Sequence, residues 1–276
     1  MAKPSESWRE LLANPGPDAH IVQLYQEPEF YAEAVTHFAA EGLVRGESII
    51  FVATGPNWNA LSSRMSRKGF DVEDLQRQGR LTVLDAERTL PKFIRNNMPD
   101  APAFKTITRS AIQKARKDGA YPRVRWWGEM VNVLYAEGNG KGSTRLEELF
   151  DEVAHEEEVA IFCSFLMDKF DRNIYDGPLA DVCRTHRSLI PAQDESLHRN
   201  CVDRAVLDVF GELQGSFLRA IASSHSAKAP DAKASRMPAS QEMLLAIKHG
   251  APDKFDEVLT AARRREQDAR GGGGHA

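Results

Sequence analysis

The sequence has few cysteines, no long apolar run and no strong excess of either charge, and each shortage argues against a class of protein. Its three cysteines, Cys163, Cys183 and Cys201, include no closely spaced pair, which argues against a disulfide framework and against a zinc site built on cysteine pairs. No apolar run is long enough to span a bilayer, and the first residues lack the apolar segment of a secretion signal. We therefore expect a cytoplasmic protein without a membrane partner.

Size and charge narrow the expectation further. With 276 residues, of which 42% are hydrophobic, the chain can bury one substantial core and a small appendage. The formal net charge of −4 gives no general reason to expect a nucleic-acid partner. The cluster Arg263-Arg264-Arg265 is interpreted as a solvated helix face, with nucleic-acid binding as the weaker alternative.

The most informative absence lies in the first predicted strand–helix–strand unit. Apolar runs predict strands at His20–Tyr25 and Ser48–Ala53, with a helix between them from about Glu29 to Leu43. In a P-loop protein, the first strand–helix junction carries glycines and then Lys-Ser/Thr, and its backbone amides hold phosphate. Here residues 25–29 read Tyr-Gln-Glu-Pro-Glu, and the two carboxylates would repel a triphosphate.

The pattern of strands and helices continues along the chain and indicates the fold class. Further strands are predicted at Arg80–Asp85, Arg123–Trp127 and Val159–Phe165, with helical stretches between them. This alternation predicts an α/β three-layer sandwich with a mainly parallel sheet of five or more strands. From Leu179 the pattern becomes wholly helical.

Seven short segments, taken in order and spacing, resemble a known family. They are His20-Ile-Val-Gln-Leu-Tyr25, Gly42-Leu-Val-Arg-Gly-Glu47, Leu84-Asp85-Ala86, Trp127-Gly128-Glu129-Met130, Leu146-Glu147, Phe162-Cys163-Ser164-Phe165 and His186. Together they resemble the methanogen/methylotroph, DcmR sensory domain, abbreviated MEDS. The resemblance implies a sensory module of signalling proteins that detects small organic molecules, with a RecA/KaiC-like fold without Walker motifs.

The resemblance covers one part of a longer predicted organisation. An N-terminal extension at 1–17 precedes the sensory domain at 18–192, and an amphipathic helix at 193–222, a linker at 223–240 and a short helical tail at 241–276 follow it. The helix either packs on the domain or pairs with its copy in a homodimer. No helix-turn-helix fits in the first eighteen residues, and no kinase phosphoacceptor block or Asp-x-Gly-x-Gly segment follows Pro191. The expected partner is therefore a regulatory protein of the kinase or anti-sigma type.

Aromatic and polar residues follow the ends of the predicted strands, where ligands bind in open parallel sheets. Each residue alone has a structural interpretation: Glu129 suits a helix N-terminus, and His186 suits a helix cap. The predicted ligand-binding residues are Tyr25, Glu27, Thr54, Trp58, Trp127, Glu129, Phe165 and His186.

No catalytic residue, metal or cofactor is predicted. The histidines show no metal-ligand spacing, and Cys163, inside a strand, is interpreted as a core residue with a redox role as the alternative. The glycine-rich segment 138–144 lacks contiguous Gly-Lys-Ser/Thr, so it is predicted to be a plain loop, with Ser143 or Thr144 as the helix N-cap.

The sequence therefore predicts a non-enzymatic sensory module that binds a small organic ligand and signals through protein partners. Two alternatives stay open. One is a degenerate ATPase-like regulator that still binds nucleotide, and the other is a structural adaptor.

Overall fold

The computed structural model of the chain describes residues 4–186, 188–190, 195–226 and 237–271. The chain divides into two compact units. The sheet unit comprises Met1–Leu166 and Thr185–Ile190, and the helical unit comprises Met167–Arg184 and Pro191–Ala276. Residues 227–236 of the predicted linker and 272–276 of the predicted tail lie outside the described residues.

The strands all belong to the sheet unit. They are β1 (His20–Tyr25), β2 (Ser48–Ala53), β3 (Leu81–Asp85), β4 (Ile94–Arg95), β5 (Met98–Pro99), β6 (Val124–Gly128), β7 (Ala160–Leu166) and β8 (Ser188–Ile190). Six of them form one sheet in the order β3-β2-β6-β7-β1-β8, with every neighbouring pair parallel. Strands β4 and β5 form a separate antiparallel hairpin.

Helices alternate with the strands up to β8, and the described elements after β8 are helices. Those before β7 are α1 (Pro4–Ala13), α2 (Pro28–Val44), α3 (Gly55–Arg67), α4 (Val72–Arg77), α5 (Ala86–Thr89), α6 (Ala101–Arg116), α7 (Met130–Ala136) and α8 (Gly140–Glu157). Those after β7 are α9 (Pro178–Thr185), α10 (Glu195–Ser226), α11 (Ala239–Gly250) and α12 (Pro252–Gly271).

Helices cover both faces of the sheet. On one face, Phe38 of α2 packs edge-on against Phe162, with ring centroids 5.3 Å apart. On the other face, Phe150 of α8 packs against Trp126 at 5.9 Å. Successive side chains of a strand point to opposite faces, so neighbouring residues serve the two helical layers. The predicted three-layer α/β sandwich with a parallel sheet is confirmed.

The sheet unit contains strands that the sequence pattern did not predict. The prediction that the chain is wholly helical from Leu179 is wrong, because Ser188–Ile190 pairs with β1 at the edge of the sheet. The hairpin of β4 and β5 also escaped prediction. Segments of two or three residues are too short to show an alternating apolar pattern, so periodicity cannot identify them.

A buried arginine, Arg125, packs against both ends of the segment Gly42–Glu47. Arg125 of β6 is 1% exposed and donates to the backbone oxygens of Leu12 at 2.7 Å and Phe38 at 2.9 Å. It also pairs with the buried Glu47. A Cβ atom placed on Gly42 would lie 2.6 Å from Arg125 Nε. Gly42 is therefore the residue that makes room for the arginine.

Replacing Gly42 with alanine is expected to lower the free energy of unfolding by about 1–3 kcal/mol, because the added methyl group overpacks the site around Arg125. The same substitution at Gly140, where an added Cβ meets nothing within 4 Å, is the matched control and is expected to change stability little. Urea unfolding of both variants measures the difference. Equal stability of the two variants would contradict the steric role of Gly42.

The helical unit contains a buried ionic cluster. Lys169 Nζ lies 2.9 Å from Glu266 Oε1, and His198 Nδ1 lies 3.1 Å from Glu266 Oε2. All three side chains are at least 95% buried. The cluster joins residue 169 to α10 and α12, and so ties the chain between β7 and α9 to the C-terminal helices.

The predicted apolar stripe of α10 is interrupted. At Gly211 the backbone takes φ 77° and ψ 168°, outside the helical region, and this divides the helix into two segments. Val202 and Val206 before the break are fully buried, whereas Leu213 after it is 90% exposed. Val202 and Val206 therefore serve the core of the helical unit, and Leu213 does not.

Candidate functional site

A chain of aromatic contacts connects the carboxyl ends of β1, β2 and β6. Tyr25, the last residue of β1, stacks on Tyr31 of α2 with centroids 4.6 Å apart. Tyr31 in turn contacts Trp127 of β6 at 5.8 Å. Phe51 of β2 contacts both Trp127 at 5.8 Å and Trp58 of α3 at 5.5 Å. Aromatic side chains from two layers therefore line this edge of the sheet unit.

A buried carboxylate lies at the same edge. Glu129 follows β6 and is 2% exposed. Its two oxygens accept hydrogen bonds from the backbone N–H of Thr54 and from the side-chain amide of Asn57. Its own N–H donates to the carbonyl of Val52 at 3.1 Å. Glu129 therefore fixes the start of α3 against the end of β6.

Two buried polar atoms beside the aromatic rings lack hydrogen-bond partners among the described residues. They are the hydroxyl of Tyr31 and Oε1 of Gln23, whose amide nitrogen donates to the carbonyl of Phe30 at 3.3 Å. Burial and the charge of Glu129 raise the pKa of Tyr25 to about 12 and also raise the pKa of Tyr31. Both tyrosines therefore keep their phenolic protons at neutral pH.

The structure brings together most of the residues that the sequence predicts at this edge. Ring contacts connect Tyr25, Trp127 and Trp58 through Tyr31 and Phe51. A hydrogen bond connects Thr54 with Glu129, whose charge acts on Tyr25. They form one arrangement because parallel strands end at the same edge.

Of the remaining predicted residues, Glu27 lies just beyond the end of β1, and Phe165 and His186 lie elsewhere. Glu27 precedes α2 and is partly exposed, and its backbone oxygen accepts from Tyr31 N at 3.2 Å. Phe165 pairs in register with Leu24, so its side chain lies on the face of the sheet opposite to that of Tyr25. There its ring packs against Tyr135, with ring centroids 6.2 Å apart. His186 belongs to a different cluster inside the sheet unit.

That second cluster consists of His20, Glu147, Cys163 and His186, all buried. Glu147 Oε2 lies 3.1 Å from Nε2 of both His20 and His186. Cys163 Sγ lies 3.6 Å from His20 Nε2. The two imidazole rings stack with centroids 4.1 Å apart. Imidazole, carboxylate and thiol groups are the side chains that bind transition metals.

The cluster perturbs the titration of its members. Burial alone would raise the pKa of Glu147, but the neighbouring His186 and His20 hold that pKa at about 2. Burial would lower the pKa of His20, but Asp151 and Glu147 raise it above its ordinary value. Burial and the charge of Glu147 raise the pKa of the Cys163 thiol well above its usual range. Without a bound cation, the carboxylate is therefore ionised and the thiol is protonated.

Sequence reasoning did not identify this cluster. His20, Cys163 and Glu147 were not predicted as site residues, since their separations along the chain match no metal-binding motif. The available signal was that all four residues belong to the segments that resemble the sensory family. Histidine and cysteine inside otherwise apolar strands are a second signal.

The glycine-rich segment 138–144 does not form a phosphate loop. Asn139 caps α8 by accepting from the N–H of Gly142 at 2.9 Å, so the prediction of Ser143 or Thr144 as N-cap is wrong. Ser143 instead donates to the carbonyl of Val131 at 2.8 Å. The cap lies earlier because α8 begins at Gly140, despite the low helix propensity of glycine.

The comparison with known families agrees with these observations. No curated protein matches the chain in sequence. Among the described residues, no helix combines the length and the apolar character needed to cross a membrane. A family model, described as MEthanogen/methylotroph, DcmR Sensory domain (MEDS), matches residues 19–187, a range that contains both the aromatic edge and the buried cluster. The chain therefore belongs to the MEDS family of sensory domains.

Proposed function

We propose that this chain is a non-enzymatic sensory module that binds a small organic molecule at the aromatic edge of its sheet. The observation that carries the proposal is the Tyr31 hydroxyl, which is buried against Tyr25 and Trp127 and has no hydrogen-bond partner among the described residues. An unpaired buried donor is costly, and a ligand oxygen or nitrogen would satisfy it. The aromatic rings would contact the apolar part of the same ligand.

The charges at this edge support an organic ligand rather than a phosphate. Glu129 is buried at the end of β6, and Glu27 lies in the junction where a phosphate loop would begin. Carboxylates at these two positions would repel phosphate oxygens. The first residue of α2 is Pro28, which has no N–H to offer to an anion. The relation to the RecA/KaiC fold, without its phosphate site, is part of the same proposal.

The absence of catalysis and the type of partner are further parts of the proposal. A sensory domain that does not catalyse a reaction transmits its signal by changing its affinity for another molecule. We propose that this molecule is a regulatory protein of the kinase or anti-sigma type.

A thermal-shift screen tests the ligand class. The probes are dichloromethane, short alcohols and alkylamines on one side, and ATP with Mg²⁺ on the other. At least one small organic probe is expected to raise the melting temperature, since a ligand that binds only the folded state stabilises it. Stabilisation by ATP with Mg²⁺ alone, lost in Lys141→Ala, would instead establish the nucleotide-binding regulator.

Replacing Tyr31 with phenylalanine tests the site. Because the hydroxyl has no partner among the described residues, the variant is expected to be as stable as the wild type or more stable. Affinity for the organic probe is expected to fall about fivefold, the equivalent of one hydrogen bond of about 1 kcal/mol. Calorimetric titration and urea unfolding measure the two quantities.

The matched control is Tyr175→Phe in the helical unit. The Tyr175 hydroxyl is also buried but donates to the carbonyl of Lys169 at 2.8 Å. This variant is expected to lose about 1 kcal/mol of stability while it keeps the affinity for the probe. If Tyr31→Phe lost stability and kept its affinity, the hydroxyl would have a structural role and the proposed site would be wrong.

A further inference from the structure

Four ligand atoms of different chemistry converge in the interior of the sheet unit. The imidazole nitrogens of His20 and His186, a carboxylate oxygen of Glu147 and the sulfur of Cys163 all lie within 4.8 Å of one another. A tetrahedral ion with bonds of about 2.0–2.3 Å separates its ligand atoms by about 3.3–3.8 Å. The nitrogen–oxygen distances of 3.1 Å and the sulfur–nitrogen distance of 3.6 Å are close to this range.

The two imidazole rings have the orientation that metal ligands require. His20 Nδ1 lies 3.0 Å from the backbone oxygen of Thr185, which can only accept, so Nδ1 donates and Nε2 is left with a lone pair. His186 Nδ1 lies 3.1 Å from the Thr185 hydroxyl. In both rings Nε2 then faces Glu147. Histidines that bind metals are held in this way, with one ring nitrogen on the metal and the other on a neighbouring polar group.

The carboxylate of Glu147 points to a cation. The side chain is 1% exposed, yet neither oxygen has a hydrogen-bond partner among the described residues, although two imidazole nitrogens lie within 3.1 Å. The short contacts therefore lack hydrogen-bond geometry. A buried carboxylate without hydrogen bonds is costly, and a bound cation removes that cost.

The four residues lie on separate elements that the fold brings together. His20 begins β1, and Cys163 pairs in register with Val22, so both side chains point to the same face of the sheet. Glu147 projects from α8, which covers that face, and His186 precedes β8. Strands β1 and β7 and helix α8 thus position three of the four ligands, and the segment before β8 supplies the fourth.

We infer that His20, Glu147, Cys163 and His186 form a binding site for one divalent transition-metal ion, with Zn²⁺ as the ion that fits the ligands. A set of two imidazoles, one thiolate and one carboxylate suits Zn²⁺, whereas Mg²⁺ and Ca²⁺ prefer oxygen ligands alone. Four protein ligands leave no open position, so the site is structural rather than catalytic.

The ion would stabilise the pairing of the edge strand β8 with β1. Strand β8 has three residues, and its one partner among the described strands is β1. His186 lies two residues before it, and the metal would connect this histidine to β1, β7 and α8. Metal binding would therefore slow the opening of the short strand at the sheet edge.

Metal titration of the full chain tests the inference. The wild type, after chelation and dialysis, is titrated with Co²⁺ and then with Zn²⁺. One equivalent of Co²⁺ is expected to give the intense visible bands of tetrahedral coordination and a near-ultraviolet thiolate band, and Zn²⁺ should abolish both. Cys163→Ser is expected to lose the thiolate band, and Glu147→Gln is expected to weaken Zn²⁺ binding at least about 100-fold.

Two variants serve as matched controls. Cys183 is also a buried free cysteine, and His155 is a histidine on α8 whose side chain is 73% exposed. Cys183→Ser and His155→Ala are expected to keep the full Co²⁺ spectrum and the Zn²⁺ affinity.

Hydrogen exchange gives a second measurement that does not depend on any substitution. Adding Zn²⁺ to the metal-free wild type is expected to slow exchange at least about tenfold at the amides of residues 188–190. If the wild type bound no Co²⁺ below about 10 µM, or if Cys163→Ser kept the thiolate band, the inference would be overturned. The cluster would then be a buried ion pair between protonated histidines and Glu147.

Discussion

Replacing Arg125 with methionine is expected to lower the free energy of unfolding of the sheet unit by about 3–5 kcal/mol. Methionine fills much of the space of the arginine stem but leaves the buried carboxylate of Glu47 without its closest partner. The backbone oxygens of Leu12, Ala13 and Phe38 also lose the guanidinium that donates to them. Uncompensated buried charge and unpaired buried carbonyls are among the largest single costs in a folded protein.

The neighbouring Arg123 provides the control for this prediction. Its Nε lies 3.3 Å from the other oxygen of Glu47, but the side chain is 49% exposed. Arg123→Met is therefore expected to cost less than about 1 kcal/mol, as exposed ion pairs do. Urea unfolding of both variants, and of Arg125→Met combined with Glu47→Gln, measures the coupling between the buried partners. Equal losses for Arg123→Met and Arg125→Met would contradict the assignment of Arg125 as the anchor.

The second large effect is expected at Glu266 in the helical unit. Glu266→Gln removes the negative charge between Lys169 and His198 and leaves the ammonium group of Lys169 buried without a carboxylate. The expected loss is about 3–5 kcal/mol of unfolding free energy. Asp256→Asn, which removes an exposed partner of Arg172 in the same unit, is the control, with an expected loss below about 1 kcal/mol.

The same cluster predicts how stability depends on pH. Burial would raise the pKa of Glu266, but His198 and Lys169 hold that pKa at about 2, below its unfolded value of 4.5. A carboxylate with a depressed folded pKa contributes stability that is complete above pH 4.5 and is lost as the pH falls towards about 2. The difference corresponds to about 3 kcal/mol.

His198 adds to this dependence in the same direction. Burial lowers the pKa of His198 from 6.5, so the unfolded state takes up a proton more readily than the folded state as the pH falls. Lys169 and Arg270 each contact Glu266 Oε1 at 2.9 Å in the folded state. Urea unfolding between pH 7 and pH 3 should show a steeper loss for the wild type than for Glu266→Gln. Parallel curves would show that Glu266 titrates normally.

The main strands of the sheet could be predicted from the sequence because they are continuous apolar runs. Strands at residues 48–53 and 20–25 are buried along their whole length, which is the pattern of parallel strands covered on both faces. Strand β8 and the β4–β5 hairpin could not be predicted in this way, because segments of two or three residues are too short to show an apolar pattern. Their pairing depends on neighbours that only the folded chain supplies.

The aromatic edge was predictable in part. The rule that parallel strands end together placed Tyr25, Trp127 and Glu129 at one edge, and the structure brings them together through Tyr31. Phe165 was misplaced because its face depends on register: it pairs with Leu24, so it points away from Tyr25. A shift of one residue along a strand reverses the face of the sheet on which a side chain lies.

The sequence by itself determined the α/β class, the strands that form the body of the sheet, the missing phosphate loop and the family. The strands and the missing phosphate loop are local features, since each depends on residues that are close together along the chain. The tertiary structure alone decided the cluster of His20, Glu147, Cys163 and His186, whose first and third members are 143 residues apart. No local pattern encodes such a convergence, because it arises only when β1, β7, α8 and the edge strand pack together.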